Sequence, residues 1–273
     1  MSGIPVFVIN LDRRTDRLAS IKQRLEAEGL EWFRIAAVDG QKISSSILEE
    51  VYSEVSKEYP PTIGEMACAL SHRKAWEAFL ESDRQALCVA EDDILFTPEF
   101  SSLLTTSDWV TSDLGIIKLD DNGSPKRPIL LKSIKKDLQV GPVRLFQLWS
   151  RVMGAGAYIA HREVVETIVT EFSRLNAPID QHLFNPTFSR LLRKGLVTLA
   201  IPPVVYHNHE GSDLQFERVS KLSGSEAETI KMARRFENRR NLLWKAFALF
   251  RGARFYKIES LCHLTADKLH VGK

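Results

Sequence analysis

Three consecutive acids, Glu91-Asp92-Asp93, close an apolar run from Ala86 to Ala90 and are the group in this chain best suited to hold a divalent cation. Packed carboxylates repel one another unless a cation or a set of donors compensates. Hard oxygen ligands suit Mg2+ or Mn2+, commonly shared with a substrate phosphate; the bland alternative is a solvated acidic turn. Arg13, Arg14 and Arg17 stand where a helix should begin, the end at which the macrodipole disfavours cations. A bound anion would reverse that sign, because amides and guanidinium forks then grip a phosphate together; without one, Asp12 and Asp16 offset the arginines in solvent. His207 and His209 follow the last strand-like run, with Glu210 and Asp213 close by, a spacing that can add one imidazole to a metal held mainly by acids. H-x-H describes two exposed loop histidines equally well. Asp180, two residues after Pro178, reads as a general base presented at a helix start or as a helix cap. His72 and Arg73 are second-tier candidates, and Gly154 and Gly156 either admit a ligand to the backbone or mark a bulge.

The elements that must carry these residues alternate between strand and helix. PVFVINL (5–11) has a buried-strand pattern, Leu18, Ile21 and Leu25 recur at helical spacing before Gly29, and Trp32 to Val38 reads as a second strand ending at Asp39-Gly40. Thr62 and Glu65 have capping-box spacing at the head of a helix through about Glu81, followed by the Ala86–Ala90 strand that ends in the acids. Strand patterns recur at 114–119, 143–149 and about 153–159, a helix starts near Arg162, and 197–205 reads as the last strand. The stretch between Leu119 and Val143 reads as a loop, with 121–136 as a candidate lid. The class is α/β, and ligands of open α/β sheets bind at the carboxyl ends of strands, where Glu91-Asp92-Asp93 falls.

Composition sets limits on the chemistry. With 273 residues, 44% hydrophobic and 26% charged, the chain can build a sizeable core and is neither disordered nor disulfide-dense. Cys68, Cys88 and Cys262 form no C-x-x-C pair, which favours a reducing compartment. Neither a secretion signal nor eighteen consecutive apolar residues occur, so a cytoplasmic location is expected. The net charge of +2 is unevenly placed: residues 217–273 hold thirteen Lys or Arg against six acids, leaving residues 1–216 at −5. An acidic core argues against nucleic acid as partner. The division is thus an acidic core over 1–216 and a basic, mainly helical extension over 217–273. Its interleaved Phe236, Leu242, Leu243, Trp244, Phe247 and Phe250 suit an interfacial helix on anionic lipid, or packing on the core or on a second subunit. P-loop, G-x-G-x-x-G and G-x-S-x-G motifs are absent.

Taken in order, VINLDRRTDR, AAVDG, IGEMACALSHRKAW and VAEDDILF resemble glycosyltransferase family 25, the lipooligosaccharide (LPS) biosynthesis transferases, over about residues 4 to 210. The resemblance implies that 1–216 is a catalytic domain of GT-A-like, Rossmann-like fold, with a UDP-sugar donor and, typically, transfer of galactose from UDP-galactose to a saccharide or lipid-linked acceptor, with inversion. It implies Mn2+ or Mg2+ on Asp93, with His207 or His209 as its imidazole ligand and Glu91 or Asp92 at the ribose or a metal-bound water. Asn10, Leu11, Arg14, Arg17, Asp39 and Gly40 would hold the nucleotide, and Asp180 would be the base. Two other classes compete: a catalytically silent binder of nucleotide sugar or carbohydrate, and a metal-dependent phosphodiester hydrolase that needs no sugar acceptor.

Overall fold

The computed structural model describes residues 3–44, 46–47, 52, 56–120, 128–134, 139–172, 175–208 and 224–257. Its strands are β1 (Val6–Asn10), β2 (Trp32–Ala36), β3 (Ala86–Glu91), β4 (Ile94–Phe96), β5 (Ile116–Lys118), β6 (Ile129–Ser133), β7 (Gln139–Val140), β8 (Val143–Leu148), β9 (Ala157–His161), β10 (Val197–Ile201), β11 (Val205–His207) and β12 (Arg254–Tyr256). The helices are α1 (Thr15–Ala27), α2 (Ile63–Leu80), α3 (Pro98–Leu104), α4 (Arg162–Glu171), α5 (Ile179–Phe184), α6 (Arg190–Lys194) and α7 (Gly224–Phe250). The main sheet runs β12-β6-β8-β10-β5-β9-β3-β1-β2, with β7 hairpinned onto β8.

The βαβ unit read from the amino-terminal residues is present: β1 pairs in parallel with β2 and β3, with Asn10 opposite Ala36 and Ile9 opposite Glu91. All five residues of β1 are buried, because helices cover both faces of the sheet. Phe7, Ile9, Leu87 and Val89 point into one core with Trp76 and Phe79 of α2 and Ile168 of α4. Val6, Val8, Cys88 and Ala90 point into the other, with Ile21 and Leu25 of α1 and Phe100 and Leu103 of α3. The capping box of α2 is complete, the Glu65 amide donating to Thr62 Oγ1 at 3.2 Å and the Thr62 amide to Glu65 Oε2 at 2.9 Å.

Three readings need correction. The 197–205 run is two strands, because Pro202 and Pro203 carry no amide proton to continue a ladder. The chain turns there, and β11 leaves the main sheet to pair antiparallel with β4, setting His207 opposite Ile94. The stretch read as a loop after Leu119 contains β6, a strand of the main sheet with Leu130 and Leu131 fully buried; of the candidate lid, residues 121–127 and 135–138 lie outside the described residues. Asp180 is not a helix cap, since Pro178 caps α5 and Asp180 lies in its first turn.

The boundary at residue 216 also lies outside the described residues. Beyond it the chain returns to the core. Glu237 of α7 is fully buried and accepts from Tyr59 at 2.7 Å, Asn185 at 2.9 Å and Thr187 at 3.1 Å. Trp244 stacks on Trp149 and donates to its carbonyl at 2.8 Å, and β12 then pairs with β6 at the sheet edge. The outer side of α7 leaves Phe236, Leu242, Leu243 and Phe250 exposed.

Candidate active site

Because β1, β3 and β5 are parallel to one another and β9 is antiparallel to β3 and β5, the carboxyl ends of the first three meet the start of β9 on one rim of the sheet. A cavity of about 380 Å3 opens there. It is lined by Leu11 and Arg13 from the β1–α1 turn, Arg17 from the first turn of α1, Asp39 and Gly40 after β2, Glu91 at the end of β3 with Asp92 and Asp93 just after it, Gly154 and Ala155 before β9, Asp180 from α5, and His207 from β11.

The acids are held by a set of donors, one of which two of them share. Asp92 is buried and accepts from Asn10 Nδ2 at 2.6 Å and from Arg17 at 3.2 Å, and Arg17 also reaches Asp93 Oδ2 at 3.3 Å. Asn10 is itself fixed by donating to the Arg14 carbonyl and accepting from Arg34 Nε, each at 3.0 Å. Glu91 has His72 Nε2 at 3.5 Å. That histidine is fully buried. Trp76 donates to the Tyr158 hydroxyl at 2.8 Å, and the same hydroxyl lies 3.0 Å from His72 Nδ1, so the tyrosine ties α2 to the ring beside Glu91.

His207 reaches the acids from β11. The β11–β4 ribbon and a 2.8 Å bond from the Asn208 amide to the Asp93 carbonyl fix its backbone. Its Nε2 lies 3.2 Å from Asp120 Oδ2 and its Nδ1 4.0 Å from Asp93 Oδ1. Asp120 is buried beside Lys118, also fully buried, whose Nζ donates to Asp120 Oδ1 at 2.6 Å and to the Gly154 carbonyl at 2.8 Å.

Burial, reinforced by the Glu91 charge, pushes the Asp93 carboxyl up to about 6. Burial raises Asp92 as well, against the opposing pull of Asn10 and Arg17. At Glu91 and Asp120 burial acts in the same sense but is outweighed, by His72 and His207 at Glu91 and by Lys118 and His207 at Asp120, so both lie below the usual carboxylate range. The Asp120 hydrogen bond, together with the surrounding acids and against burial, lifts His207 to about 9. Negative charge thus accumulates around an imidazole, which is the environment a divalent cation relieves. The donor set fits one: Glu91, Asp93 and His207 each offer an atom within 4.8 Å of the others, and Asp93 Oδ1 is buried with no hydrogen-bond partner among the described residues. Two carboxylates and an imidazole suit Mn2+ or a similar ion.

Of the residues singled out from sequence, Leu11, Arg17, Asp39, Gly40, Glu91, Asp92, Asp93, Asp180 and His207 meet at this cavity. Asn10 lies beneath it, behind Asp92. Arg14 pairs with Asp16 at 3.0 Å and is not part of the lining, where Arg13 stands instead, paired with Asp39 at 2.5 Å. The arginines at the helix start are therefore offset mainly by acids of this chain. His209 lies outside the described residues. Asp180 Oδ2 accepts from the Gly154 amide at 3.3 Å and from Gln181 Nε2 at 3.0 Å, so both bonds fall on one oxygen. Lys118 and Asp120 were missed, although a lysine inside the apolar run IIKLD was a signal that a buried counter-charge must lie nearby.

Residues 3–183 match the family model described as glycosyltransferase family 25 (LPS biosynthesis protein). Among curated proteins, the chain is 33% identical over 102 residues to a glycosyltransferase 25 family member of Anopheles gambiae, covering 35% of this chain and 17% of that protein. It is 34% identical over 127 residues to procollagen galactosyltransferase 1-B of Xenopus laevis, covering 44% and 20% respectively. With procollagen galactosyltransferase 2 of Homo sapiens it shares 32% over 106 residues, covering 36% and 17%. The matches thus span about a fifth or less of these relatives. Among solved structures, a glycosyltransferase involved in the glycosylation of the major capsid of PBCV-1 aligns at a TM-score of 0.37 and 8% identity, over 85% of this chain and 98% of that one. The parallel β2-β1-β3 core, rather than that likeness, carries the α/β assignment.

Proposed function

The chain belongs to glycosyltransferase family 25, and on that premise we propose that it is a metal-assisted, inverting hexosyltransferase that moves galactose from UDP-galactose to a saccharide acceptor, with a lipooligosaccharide as the foremost candidate. One observation carries this reading: Glu91, Asp93 and His207 converge within 4.8 Å on the wall of a cavity that Arg13, Arg17 and Asp180 also line.

In this reading Arg13 and Arg17 face the diphosphate, aided by the first amides of α1, whose N-cap residue Arg14 makes no side-chain cap bond. Asp39 and Gly40 border the nucleoside, and the backbone of Gly40 lies so close to Gly64 that a Cβ would stand 3.3 Å from its Cα. Glu91, Asp93 and His207 would hold Mn2+ or Mg2+, which when bound supplies charge neutralisation of the leaving diphosphate. Asp180, anchored through Oδ2, takes the proton from the acceptor hydroxyl as that oxygen attacks the anomeric carbon on the face opposite the leaving group. Asn10, by fixing Asp92, keeps Arg17 and Asp93 in register.

The acceptor side is supported by α7. Its exposed Phe236, Leu242, Leu243 and Phe250 stand among Arg235, Arg239, Arg240, Lys245 and Arg251, a composition suited to peripheral contact with an anionic membrane bearing a lipid-linked acceptor. No helix among the described residues is long and apolar enough to cross a membrane. The location proposed is the cytoplasmic face of a membrane.

The deciding measurement is calorimetric titration with UDP, with and without Mn2+, on the wild type and on Asp93→Ala. Metal-dependent UDP binding that disappears in the variant is the expected result. A folded wild type that binds UDP under neither condition overturns the proposal, and binding without turnover of any UDP-sugar in the presence of acceptor would leave a silent binder.

A further inference from the structure

Gly154 and Gly156 flank Ala155 just before β9, and neither is explained by the βαβ framework. Gly156 has an ordinary backbone conformation, since its φ is not in the left-handed region, so nothing about its torsions requires glycine. Space does. A Cβ built on Gly156 would overlap His207 Cε1 and stand 2.7 Å from Nε2, closer than side-chain atoms approach. A Cβ on Gly154 would stand 2.9 Å from Asp120 Oδ2, and this residue also has a φ of +79°. The two glycines therefore touch the two members of one hydrogen-bonded pair, Asp120 and His207.

We propose that Gly154 and Gly156 form a seat for the Asp120–His207 pair, and that Asp120, held by Lys118, is the positioning residue that turns His207 Nδ1 toward Asp93. The polarity of the pair supports this. Asp120 accepts from Nε2, which assigns the other ring nitrogen to the side of Asp93 Oδ1, the buried oxygen with no hydrogen-bond partner among the described residues. Lys118 also donates to the Gly154 carbonyl, tying the carboxylate, the ammonium and the seat into one unit. A carboxylate behind a ligating imidazole fixes the ring's orientation and raises its basicity, and loss of such a partner commonly costs about 10 to 100-fold in metal affinity. The inference rests on the reading of Glu91, Asp93 and His207 as a cation site, but the seat itself is a packing statement that can be tested apart from it.

The test is a substitution cycle on the full chain: Gly156→Ala, His207→Ala and the double variant, with melting temperature and Mn2+ affinity measured for each. Mn2+ affinity is read by electron paramagnetic resonance of the free ion. Gly156→Ala adds one methyl group against an imidazole with no room for it, and overpacking of this kind should lower the melting temperature by roughly 3–10 °C. Removing the His207 ring creates the space, so the double variant should melt at or above the His207→Ala single variant. Asp120→Asn should weaken Mn2+ binding about 10 to 100-fold, whereas Asp120→Glu should recover part of it. If Gly156→Ala is as damaging in the His207→Ala background as in the wild type, or if it leaves the melting temperature unchanged, the seat is wrong. If the rescue appears but Mn2+ binds the wild type no better than His207→Ala, the seat stands and the cation reading fails. Equal Mn2+ affinity in the wild type and Asp120→Asn, with His207→Ala impaired, removes Asp120 from the positioning role.

Discussion

Replacing Lys118 by methionine isolates the energetics of the buried charge behind the site. In the native protein Nζ contacts Asp120 Oδ1 at 2.6 Å, the Gly154 carbonyl at 2.8 Å and the face of Phe184 at 4.9 Å from the ring centroid, all without solvent. Methionine keeps most of the stem but leaves a buried carboxylate with His207 as its remaining charged partner, and removing one member of such a pair costs about 3–5 kcal/mol. For a domain of this size that is a fall of roughly 6–20 °C in melting temperature. The diagnostic result is the double variant Lys118→Met/Asp120→Asn. Because the damage comes from the orphaned charge and not from lost volume, the second substitution should recover more than half of the loss made by the first. Equilibrium urea unfolding gives the comparison, read as a shift in midpoint at constant slope. Lys22→Ala serves as the control: its pairing with Glu26 is at 3.8 Å with both side chains about half exposed, and should be worth about 0.5 kcal/mol or less. A cost below about 1 kcal/mol for Lys118→Met, or penalties that simply add in the double variant, would refute the reasoning.

Asp180→Asn should leave UDP binding intact while lowering turnover about 10² to 10⁴-fold, measured as saturating rate against acceptor; undiminished turnover removes Asp180 from the base role. His182 gives a pH signature of stability: burial lowers it from the ordinary 6.5 to about 4, and its Nε2 accepts from the Asn176 and Ala177 amides at 3.3 Å each. The unfolded chain therefore takes up this proton first, so stability is whole above about pH 6.5 and falls as the pH drops toward 4, by up to roughly 3 kcal/mol. His182→Gln should flatten that slope in urea melts at pH 7, 5.5 and 4.5, and an unchanged slope would mean the histidine is accessible. Leu243→Ser with Phe250→Ser should abolish sedimentation with vesicles rich in phosphatidylserine while leaving the fold intact, since both side chains are exposed in the described protein; retained sedimentation excludes this face as the membrane contact. Point substitutions are required there, because truncation near residue 216 would also remove Glu237, Trp244 and β12 from the core.

The elements that were legible in the sequence are those whose pattern is made by local physics. β1 and β3 are apolar without interruption because both faces are covered, α1 shows its inner face as Ile21 and Leu25, and α2 announces its first turn through Thr62 and Glu65. Where an element depends on a distant partner the pattern fades. β4 has three residues and exists because β11 comes back to pair with it, and β12 has two of three side chains exposed and a partner more than a hundred residues earlier. The site followed the same division. Glu91-Asp92-Asp93 is visible as a run at the end of a strand, whereas Lys118 and Asp120 gain their meaning from His207, Gly154 and Gly156, which only the folded sheet brings to them.

The late arrival of β12 has a consequence in time. On the described strands, β6 has β8 on one side and β12 on the other, and about 120 residues separate the end of β6 from the start of β12. At synthesis rates of about 5–20 residues per second, the ribosome needs roughly 6–24 s to deliver the strand that closes that edge. Over the last part of this interval, once β10 has been made, the sheet offers a row of unpaired amides and carbonyls along Ile129–Ser133, next to Trp149 not yet covered by Trp244. A nascent chain on a neighbouring ribosome presents the same row, so expression yield should respond to slower initiation and lower temperature more than to any change at the cavity.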